Sequence, residues 1–406
     1  MVTGQRTPET AARPEPPPLR TPRAALEIFL WSRAAIWLAA LLALLTLEPM
    51  RNPKAGRWDD PVAHDLGEVT DVWARWDSIH FLRIAEHGYT TAEASFYPLY
   101  PALIAALGGV FGDHDVLAGI VVSLAAALAA FVLLERLAER RLGTAGARRA
   151  VLYLALFPTA LFLQAVYSES LFLFLCLATF ALAERGRFPE AAAVAGLAII
   201  TRPVGLALLP PLVLLARRRS WQLLTVVPVA ALYPLLLWRR VGDPWEFAHA
   251  EGTWHRHLSP AGPLGGVWEA LRAGWAGVEQ VASGSNTHVY WTAVSRADSA
   301  PLRTAALNLE LLAFLVLFVA LTVIAWRRFG APYGLFAALS LAIPLSVPSS
   351  RWPLLSLPRF GLAIFPFFLA LAWLGRNPRA HAAILGLSAL LLGVFVTQWA
   401  LWDWVA

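Results

Sequence analysis

Long apolar blocks, separated by short arginine-rich segments, run through almost all of the 406 residues. A helix needs about 20 predominantly apolar residues to cross a bilayer, and in lipid a helix satisfies its own backbone hydrogen bonds. We therefore predict an all-α polytopic membrane protein. The apolar blocks lie near residues 25–47, 96–111, 115–135, 150–166, 168–184, 190–216, 221–238, 303–326, 331–348, 357–375 and 381–402.

The composition separates a membrane protein from a nucleic-acid binder. Hydrophobic residues make up 58% of the chain and charged residues 15%, whereas soluble domains are about half apolar and a quarter charged. The net charge of +6 comes from arginines between the apolar blocks, where cytoplasmic loops that face anionic lipid carry them. We therefore expect membrane lipids as partners and no nucleic acid. Cys176 is the only cysteine, which excludes an intramolecular disulfide.

The arginine-rich segments also predict a topology. If all of them, including a basic loop at 135–149, are cytoplasmic, the chain has about eleven spans, with the amino terminus inside and the carboxyl terminus outside. Block 96–111 is then an interfacial or re-entrant helix. Block 190–216 has to enter the membrane and return, with a break at Thr201-Arg202-Pro203, because proline removes a backbone donor and disfavours helix in the preceding residue.

This topology predicts one tail and one domain. Residues 1–23 are rich in Pro, Thr and Arg, which predicts a disordered cytoplasmic tail, and residues 24–406 form a single transmembrane domain. Its first exterior loop is 48–114 and its second is 241–302. The second loop is rich in Trp and His, which suits either acceptor recognition or packing of an exterior cap. A richness in Ala and Arg, with Lys54 as the single lysine, indicates a bacterial plasma membrane by association.

The densest polar segment of the first exterior loop lies at 73–89. Written as a helix from Asp77 to Gly88, its apolar residues gather on one side, which predicts an amphipathic helix on the membrane surface. Asp77 either presents a functional carboxylate at the lipid–water boundary or is only a helix cap. The polar side carries Asp77, His80, Arg83 and His87. No third ligand joins the two histidines, so no metal site is predicted.

Segment 75–89, which begins Arg75-Trp76-Asp77-Ser78-Ile79-His80, resembles the Trp-Asp motif of the PIG-V family. Members of this family add the second mannose in glycosylphosphatidylinositol assembly, and the family has bacterial relatives. Later segments resemble the next blocks of the family in the same order: 96–101, 158–170, 184–187 and 201–206. The resemblance covers about residues 73–206.

The resemblance implies a C-type glycosyltransferase (GT-C) fold, inverting transfer on the exterior face and a polyprenyl- or dolichyl-phosphate mannose donor. By this analogy Asp77 is the base that deprotonates an acceptor hydroxyl. The acceptor (lipid, glycan or protein) stays open, no cofactor is required, and dependence on a divalent metal also stays open. The residues expected to bind the substrate are Trp76, His80, Tyr89, Tyr100, Tyr167 and Glu169.

Three arginines are expected to bind the donor phosphate: Arg202, Arg359 and Arg351. Arg202 lies inside an apolar block, where a charge costs about 2.5–3.5 kcal/mol on insertion scales. Either the phosphate or an ion pair with Glu169 has to compensate it. Arg359 and Arg351 lie in the exterior segment 348–360, against the positive-inside pattern, and interfacial anchoring is the alternative for both. Arg359 ranks above Arg351.

Two other classes of function remain open. Broken helices and intramembrane arginine also suit a transporter or flippase of lipid-linked sugars, although transporters often contain duplicated halves and no repeat of the 73–206 pattern follows in 207–406. A non-catalytic scaffold subunit is the second alternative. If Asp77 is not the base, the other candidate acids are Asp59, Asp60 and Asp71.

Overall fold

The structure is a computed structural model that describes residues 23–48, 58, 60–283 and 301–405. The described part is nearly all helical, which confirms the all-α prediction. Five helices are long and apolar enough to cross a membrane: Arg23–Thr46, Asp115–Ala155, Pro203–Val241 (in several pieces), Pro301–Phe329 and Pro378–Ala400. Shorter apolar helices are Leu99–Gly108, Glu169–Ala183, Phe188–Ile199 and Ala331–Leu345.

These helices define an integral membrane protein, while the count of about eleven spans stays a prediction. The remaining α-helices are Glu68–Asp71, Ser78–His87, Leu209–Ala216, Val226–Ala230, Leu232–Val241, Glu246–His249, Pro263–Ser283, Leu357–Leu362 and Pro366–Leu374. Short 3-10 helices cover Pro61–Ala63, Ala160–Leu163, Pro203–Leu208, Arg217–Thr225 and Ala250–Trp254. The predicted tail lies outside the described residues except for Arg23, which begins the first helix.

The predicted basic loop at 135–149 is wrong, because this segment is helical. The range Asp115–Ala155 consists of two helices that meet within this segment at Gly143, where φ is 70° and ψ is 176°. Glu, Arg, Leu and Ala are strong helix formers and continue the helix, and a glycine takes up left-handed φ at little cost. The predicted span 150–166 is consequently helical only to Ala155, and a turn and the 3-10 helix Ala160–Leu163 follow.

The break predicted at Thr201-Arg202-Pro203 is confirmed. Helix Phe188–Ile199 ends there, Arg202 is extended at φ −157° and ψ 143°, and the 3-10 helix Pro203–Leu208 follows. At Gly205 an added Cβ would lie 2.6 Å from backbone atoms of Ala198 and Ile199. The two halves of the broken segment therefore lie in backbone contact, which only glycine allows at this position.

The helix predicted from Asp77 is confirmed as Ser78–His87, ended by Gly88 at φ 79°. The prediction that its apolar face lies on a membrane is wrong. Phe81 instead packs edge-to-face on Phe96 and Tyr100, with ring centroids 5.2 and 5.1 Å away. The segment that follows this helix therefore supplies aromatic side chains against which its apolar face is buried.

The end of helix Pro378–Ala400 packs against the segment that contains Val72 and Arg75. The Arg75 guanidinium donates to the carbonyls of Trp399 and Ala400 at 2.9 and 2.5 Å, at the helix end where a cation is favoured. The indole of Trp399, 1% exposed, donates to the carbonyl of Val72 at 2.6 Å. Trp399 is therefore a core residue and not the membrane-interface anchor that its place near the carboxyl terminus suggests.

Candidate active site

Asp77 lies directly before helix Ser78–His87, but its side chain makes no capping hydrogen bond. Arg359 Nη1 instead donates to Asp77 Oδ2 at 2.6 Å. The two residues are 282 positions apart in the chain and are each 8% exposed. The helix-cap explanation of this carboxylate is therefore wrong, and a buried ion pair holds it in one orientation.

Glu169 extends this pair into a chain of alternating charges. Its Oε1 lies 3.3 Å from Arg359 Nε and also accepts a hydrogen bond from Arg202 Nη1. Glu169 is 1% exposed and begins helix Glu169–Ala183, where the helix dipole favours an acid. Asp77, Arg359, Glu169 and Arg202 together form what we call the acid–arginine cluster, with no net charge. The Arg202–Glu169 ion pair proposed as one compensation for the Arg202 charge is therefore present.

Tyr167 holds the backbone at Asp77. Its hydroxyl accepts from the Asp77 amide at 3.0 Å and donates to the Arg75 carbonyl at 3.2 Å. The guanidinium carbon of Arg359 lies 5.2 Å from the centre of its ring, in the range of a cation–π contact. Tyr167 is therefore a support beneath the acid–arginine cluster, and its hydroxyl is already engaged.

The segments that carry Asp77 and Arg359 each follow a non-glycine residue with a left-handed backbone conformation. Trp76, directly before Asp77, has φ 56°, and Ser356, directly before the helix Leu357–Leu362 that carries Arg359, has φ 68°. Such a conformation costs about 1–2 kcal/mol for a residue with a Cβ and clusters at functional sites. The Ser356 hydroxyl compensates in part, because it accepts from Arg359 Nη2 at 3.3 Å.

Trp76 is held inside an aromatic cluster. Its ring lies 5.2 Å from that of Trp58, 6.0 Å from Trp402 and 5.3 Å from Trp404, and the residue is 6% exposed. The packing fixes the backbone before Asp77 and leaves little of the Trp76 ring open to a sugar. Its predicted role in substrate binding therefore has no support from these contacts.

His80 follows Asp77 by one helical turn and lies at the rim of the cluster. Its ring stacks on Phe96 at 4.5 Å and meets the edge of Trp254, from the segment 241–302, at 5.6 Å. Burial lowers the pKa of His80, although the negative charges of Asp77 and Glu93 act to raise it. The imidazole is therefore neutral at pH 7 and suited to hydrogen bonding with a sugar.

The other predicted tyrosines are not in the cluster. The hydroxyl of Tyr89 donates to the carbonyl of Phe96 at 2.6 Å. Tyr100 is fully buried, and its hydroxyl bonds to the carbonyl of Gly119 and the hydroxyl of Ser123. Sequence alone could not separate such core tyrosines from pocket tyrosines, because both lie beside apolar residues.

Arg256 is the residue that the sequence did not reveal. Arg202, Arg359 and Arg256 surround the ring of Phe360, with guanidinium carbons 5.1, 5.6 and 5.9 Å from its centre. Arg256 donates to the carbonyls of Val347 and Leu355, each at 3.1 Å. Its place between two histidines in an exterior loop carried no signal for a contact almost 100 residues away.

The alternative acids have other partners in the structure. Asp60 caps the 3-10 helix Pro61–Ala63 and forms an ion pair with Arg83. Asp71 accepts from the backbone amide of Asp65 at 3.0 Å, and Asp59 lies outside the described residues. Arg351 lies over the ring of Trp352, 4.7 Å from its centre.

One group of side chains has metal-ligand chemistry. Among the described residues, Asp243, Glu246 and His249 place one ligand-type atom each within 4.8 Å of one another. His249 Nδ1 already lies 3.0 Å from Asp243 Oδ2. The group does not include Asp77, and exposed sets of this kind are common without a metal.

The fold and this site together define an all-helical membrane protein with a buried acid–arginine cluster. Residues 43–226 match the family model described as Mannosyltransferase (PIG-V). The resemblance predicted from the motifs is therefore confirmed over that segment, which contains Asp77, Glu169 and Arg202.

The chain is similar to GPI alpha-1,6-mannosyltransferase 2 of two rodents. It is 35% identical to the protein from Rattus norvegicus and 34% identical to that from Mus musculus, each over 153 residues. Each match covers 34% of this chain and 30% of the relative. The crystal structure of ArnT from Cupriavidus metallidurans bound to undecaprenyl phosphate matches 91% of this chain and 77% of that one, at TM-score 0.39 and 16% identity. Similarity at that level does not establish a shared fold.

Proposed function

We propose that this chain is a membrane glycosyltransferase of the GT-C class. It moves a hexose, mannose by analogy with its relatives, from a polyprenyl-phosphate donor to a lipid, glycan or protein acceptor on the exterior face. The observation that carries the proposal is the ion pair of Asp77 with Arg359, 2.6 Å long and buried. The family match over residues 43–226 and the mannosyltransferase names of the relatives support it.

The proposed chemistry is one inverting displacement. Asp77 accepts the proton of the acceptor hydroxyl as the acceptor oxygen bonds to C1 of the donor sugar. The bond from C1 to the phosphate oxygen breaks, and the polyprenyl phosphate leaves with the electron pair. A positioned carboxylate contributes about 10²–10⁴-fold to such a step.

The arginines have the chemistry to bind the leaving phosphate. Arg359 and Arg202 both contact Glu169, Arg359 also contacts Asp77, and a phosphate can replace the acids as their partner with charge-assisted hydrogen bonds. Such an exchange releases Asp77 for the acceptor hydroxyl. Arg351, in the same exterior segment, is a weaker candidate for a contact at the rim. His80 is a candidate for a hydrogen bond to the sugar.

The test compares wild type, Asp77→Asn and Glu86→Gln in proteoliposomes supplied with radiolabelled polyprenyl-phosphate mannose. Glu86 is the matched control, because its side chain lies on the same helix and is 53% exposed. We expect the first substitution to lower transfer about 10²–10⁴-fold and the second to leave it unchanged, at matched folded protein.

Each other outcome contradicts a named part of the proposal. If transfer survives Asp77→Asn, Asp77 is not the base. If wild type transfers no label to lipid, glycan or protein acceptors, the donor or the enzyme class is wrong. In that case, movement of labelled donor across the liposome bilayer identifies a transporter, and its absence favours a scaffold subunit.

A further inference from the structure

A second polar site lies at the other end of the helix that begins at Glu169. A cavity of about 1030 Å³ opens where helix Glu169–Ala183 ends, beside the kink of helix Asp115–Ala155 and the end of helix Leu209–Ala216. Five arginines line it, against one acid, Glu184. We call it the basic pocket. Its arginines are Arg140, Arg141, Arg217, Arg218 and Arg219.

The one acid of the basic pocket already has partners. Glu184 Oε1 accepts from Arg141 Nη2 and from the Tyr333 hydroxyl, each at 2.5 Å. None of the other four arginines forms an ion pair with a carboxylate in the described part of the chain, whereas nearby Arg148 and Arg187 are paired with Glu27 and Glu190. Among the residues that the structure describes, no carboxylate therefore compensates four of the positive charges of the pocket.

Three of these arginines are consecutive in the chain, and the backbone at the first of them is strained. Arg217 ends helix Leu209–Ala216 at φ 50° and ψ −118°, and a non-glycine residue in that region is strained by about 1–2 kcal/mol. Successive side chains of the 3-10 helix that follows point about 120° apart, yet Arg217, Arg218 and Arg219 all line the cavity. An arginine-rich loop that only marks the cytoplasmic side of a membrane needs charge but no cavity.

Apolar surface adjoins the arginines. Phe188 and Leu215 line the same cavity, and Val213 and Leu214 of the adjoining helix are 50% and 46% exposed. A ligand that carries a phosphate and a hydrocarbon chain matches both surfaces at once. Basic pockets between membrane helices on the cytoplasmic side hold such headgroups.

We propose that the basic pocket binds the phosphate headgroup of an anionic membrane lipid. Arg140, Arg218 and Arg219 supply the charge-assisted hydrogen bonds, and the lipid chains lie along the apolar surface of helix Leu209–Ala216. The proposal is independent of the glycosyltransferase chemistry, because it uses none of the residues of the acid–arginine cluster.

The test uses the full chain in nanodiscs of equal parts phosphatidylglycerol and phosphatidylcholine. Native mass spectrometry of the released protein counts the phosphatidylglycerol molecules that remain bound. The pocket variant is Arg217→Gln with Arg218→Gln and Arg219→Gln. The control is Arg185→Gln with Arg327→Gln and Arg379→Gln, which removes the same charge from exposed arginines outside the pocket.

We expect the pocket variant to retain phosphatidylglycerol at least about tenfold more weakly than wild type, because hydrogen bonds between charged groups are the strongest that a headgroup can make. The control should retain it like wild type. Equal retention by all three proteins, or an equal loss in both variants, overturns the proposal, since the second result means diffuse charge attraction only. Arg218→Gln alone gives the same comparison if the triple pocket variant does not fold.

A second arm separates a lipid from a soluble anion. Wild type in discs of phosphatidylcholine alone is titrated with inorganic phosphate, and thermal unfolding reports binding. We expect no pocket-dependent rise in Tm. A rise that the pocket variant abolishes assigns the site to a free phosphate and overturns the lipid assignment.

Discussion

The acid–arginine cluster and the basic pocket lie at opposite ends of one helix. Their arginines differ in exposure and in pairing with acids. Helix Glu169–Ala183 has 15 residues, so the two regions are about 22 Å apart along it. At the Glu169 end Arg359 is buried, Arg202 is half-buried, and each is paired with an acid. At the Ala183 end arginines outnumber acids and are exposed.

The difference follows from the cost of removing a charge from water. A buried ion is tolerated only when a partner and hydrogen bonds compensate its desolvation, whereas an exposed one keeps its hydration. The acid–arginine cluster is therefore a pre-formed site, in which a ligand has to displace internal partners. In the basic pocket, four arginines form no ion pair with a carboxylate of the described residues, which leaves them available to a ligand.

The largest effect is expected from breaking the buried pair. Arg359→Gln removes the cation that pairs with Asp77 and one of the two cations that pair with Glu169. Loss of one partner of a buried ion pair lowers the free energy of unfolding by about 3–5 kcal/mol. Arg218→Gln in the basic pocket should change stability by less than about 0.5 kcal/mol, as exposed substitutions do. Thermal unfolding of both variants in the same detergent measures the contrast. Similar Tm values for the two variants would mean that the pair contributes little to the fold.

A smaller effect is expected from the packing that places Arg202. Gly205→Ala puts a Cβ 2.6 Å from the backbone of Ala198 and Ile199, and overpacking of this kind costs about 1–3 kcal/mol. Gly386→Ala is the control, because the space around Gly386 is open and alanine is favoured in a helix by about 1 kcal/mol. We expect the first change to lower Tm and the second to leave it equal or higher. The opposite order would show that the broken segment is not tightly packed.

The smallest expected effect is the pH dependence due to His80. Because burial lowers the pKa of His80, the folded protein binds this proton less readily than the unfolded chain does. Above the ordinary histidine pKa of about 6.5, His80 is neutral in both the folded and the unfolded state and does not reduce the stability of the fold. As the pH falls below that value, the unfolded chain binds the proton more readily, so the free energy of unfolding decreases.

We expect His80→Gln to remove that part of the acid sensitivity. Between pH 7 and 5, the Tm of the variant should fall by about one or two degrees less than the Tm of wild type. His87→Gln is the control, since the His87 side chain is 66% exposed. If both variants keep the wild-type profile, the acid sensitivity comes from other groups.

Local patterns predicted several elements correctly. The period of Phe81, Leu82 and Ile84 and the glycine at 88 predicted helix Ser78–His87, and Pro203 predicted the break after helix Phe188–Ile199. The same reasoning placed a loop at 135–149, where charged residues with high helix propensity continue the helix. Charge alone marks the side of a membrane and not the end of a helix.

Sequence by itself determined that this chain is an all-helical membrane protein, that Asp77 lies in a motif shared with the PIG-V family and that Arg202 needs a counter-charge. The length of each apolar block, the order of the motif residues and the free-energy cost of a charge in lipid can all be obtained from the amino-acid sequence without a structure. Only the tertiary structure decided the partners: Arg359 for Asp77, Glu169 for two arginines, Arg256 beside Phe360 and one acid for five arginines. These pairings join residues up to 282 positions apart, and packing of the whole bundle, not local propensity, sets which charges are buried together.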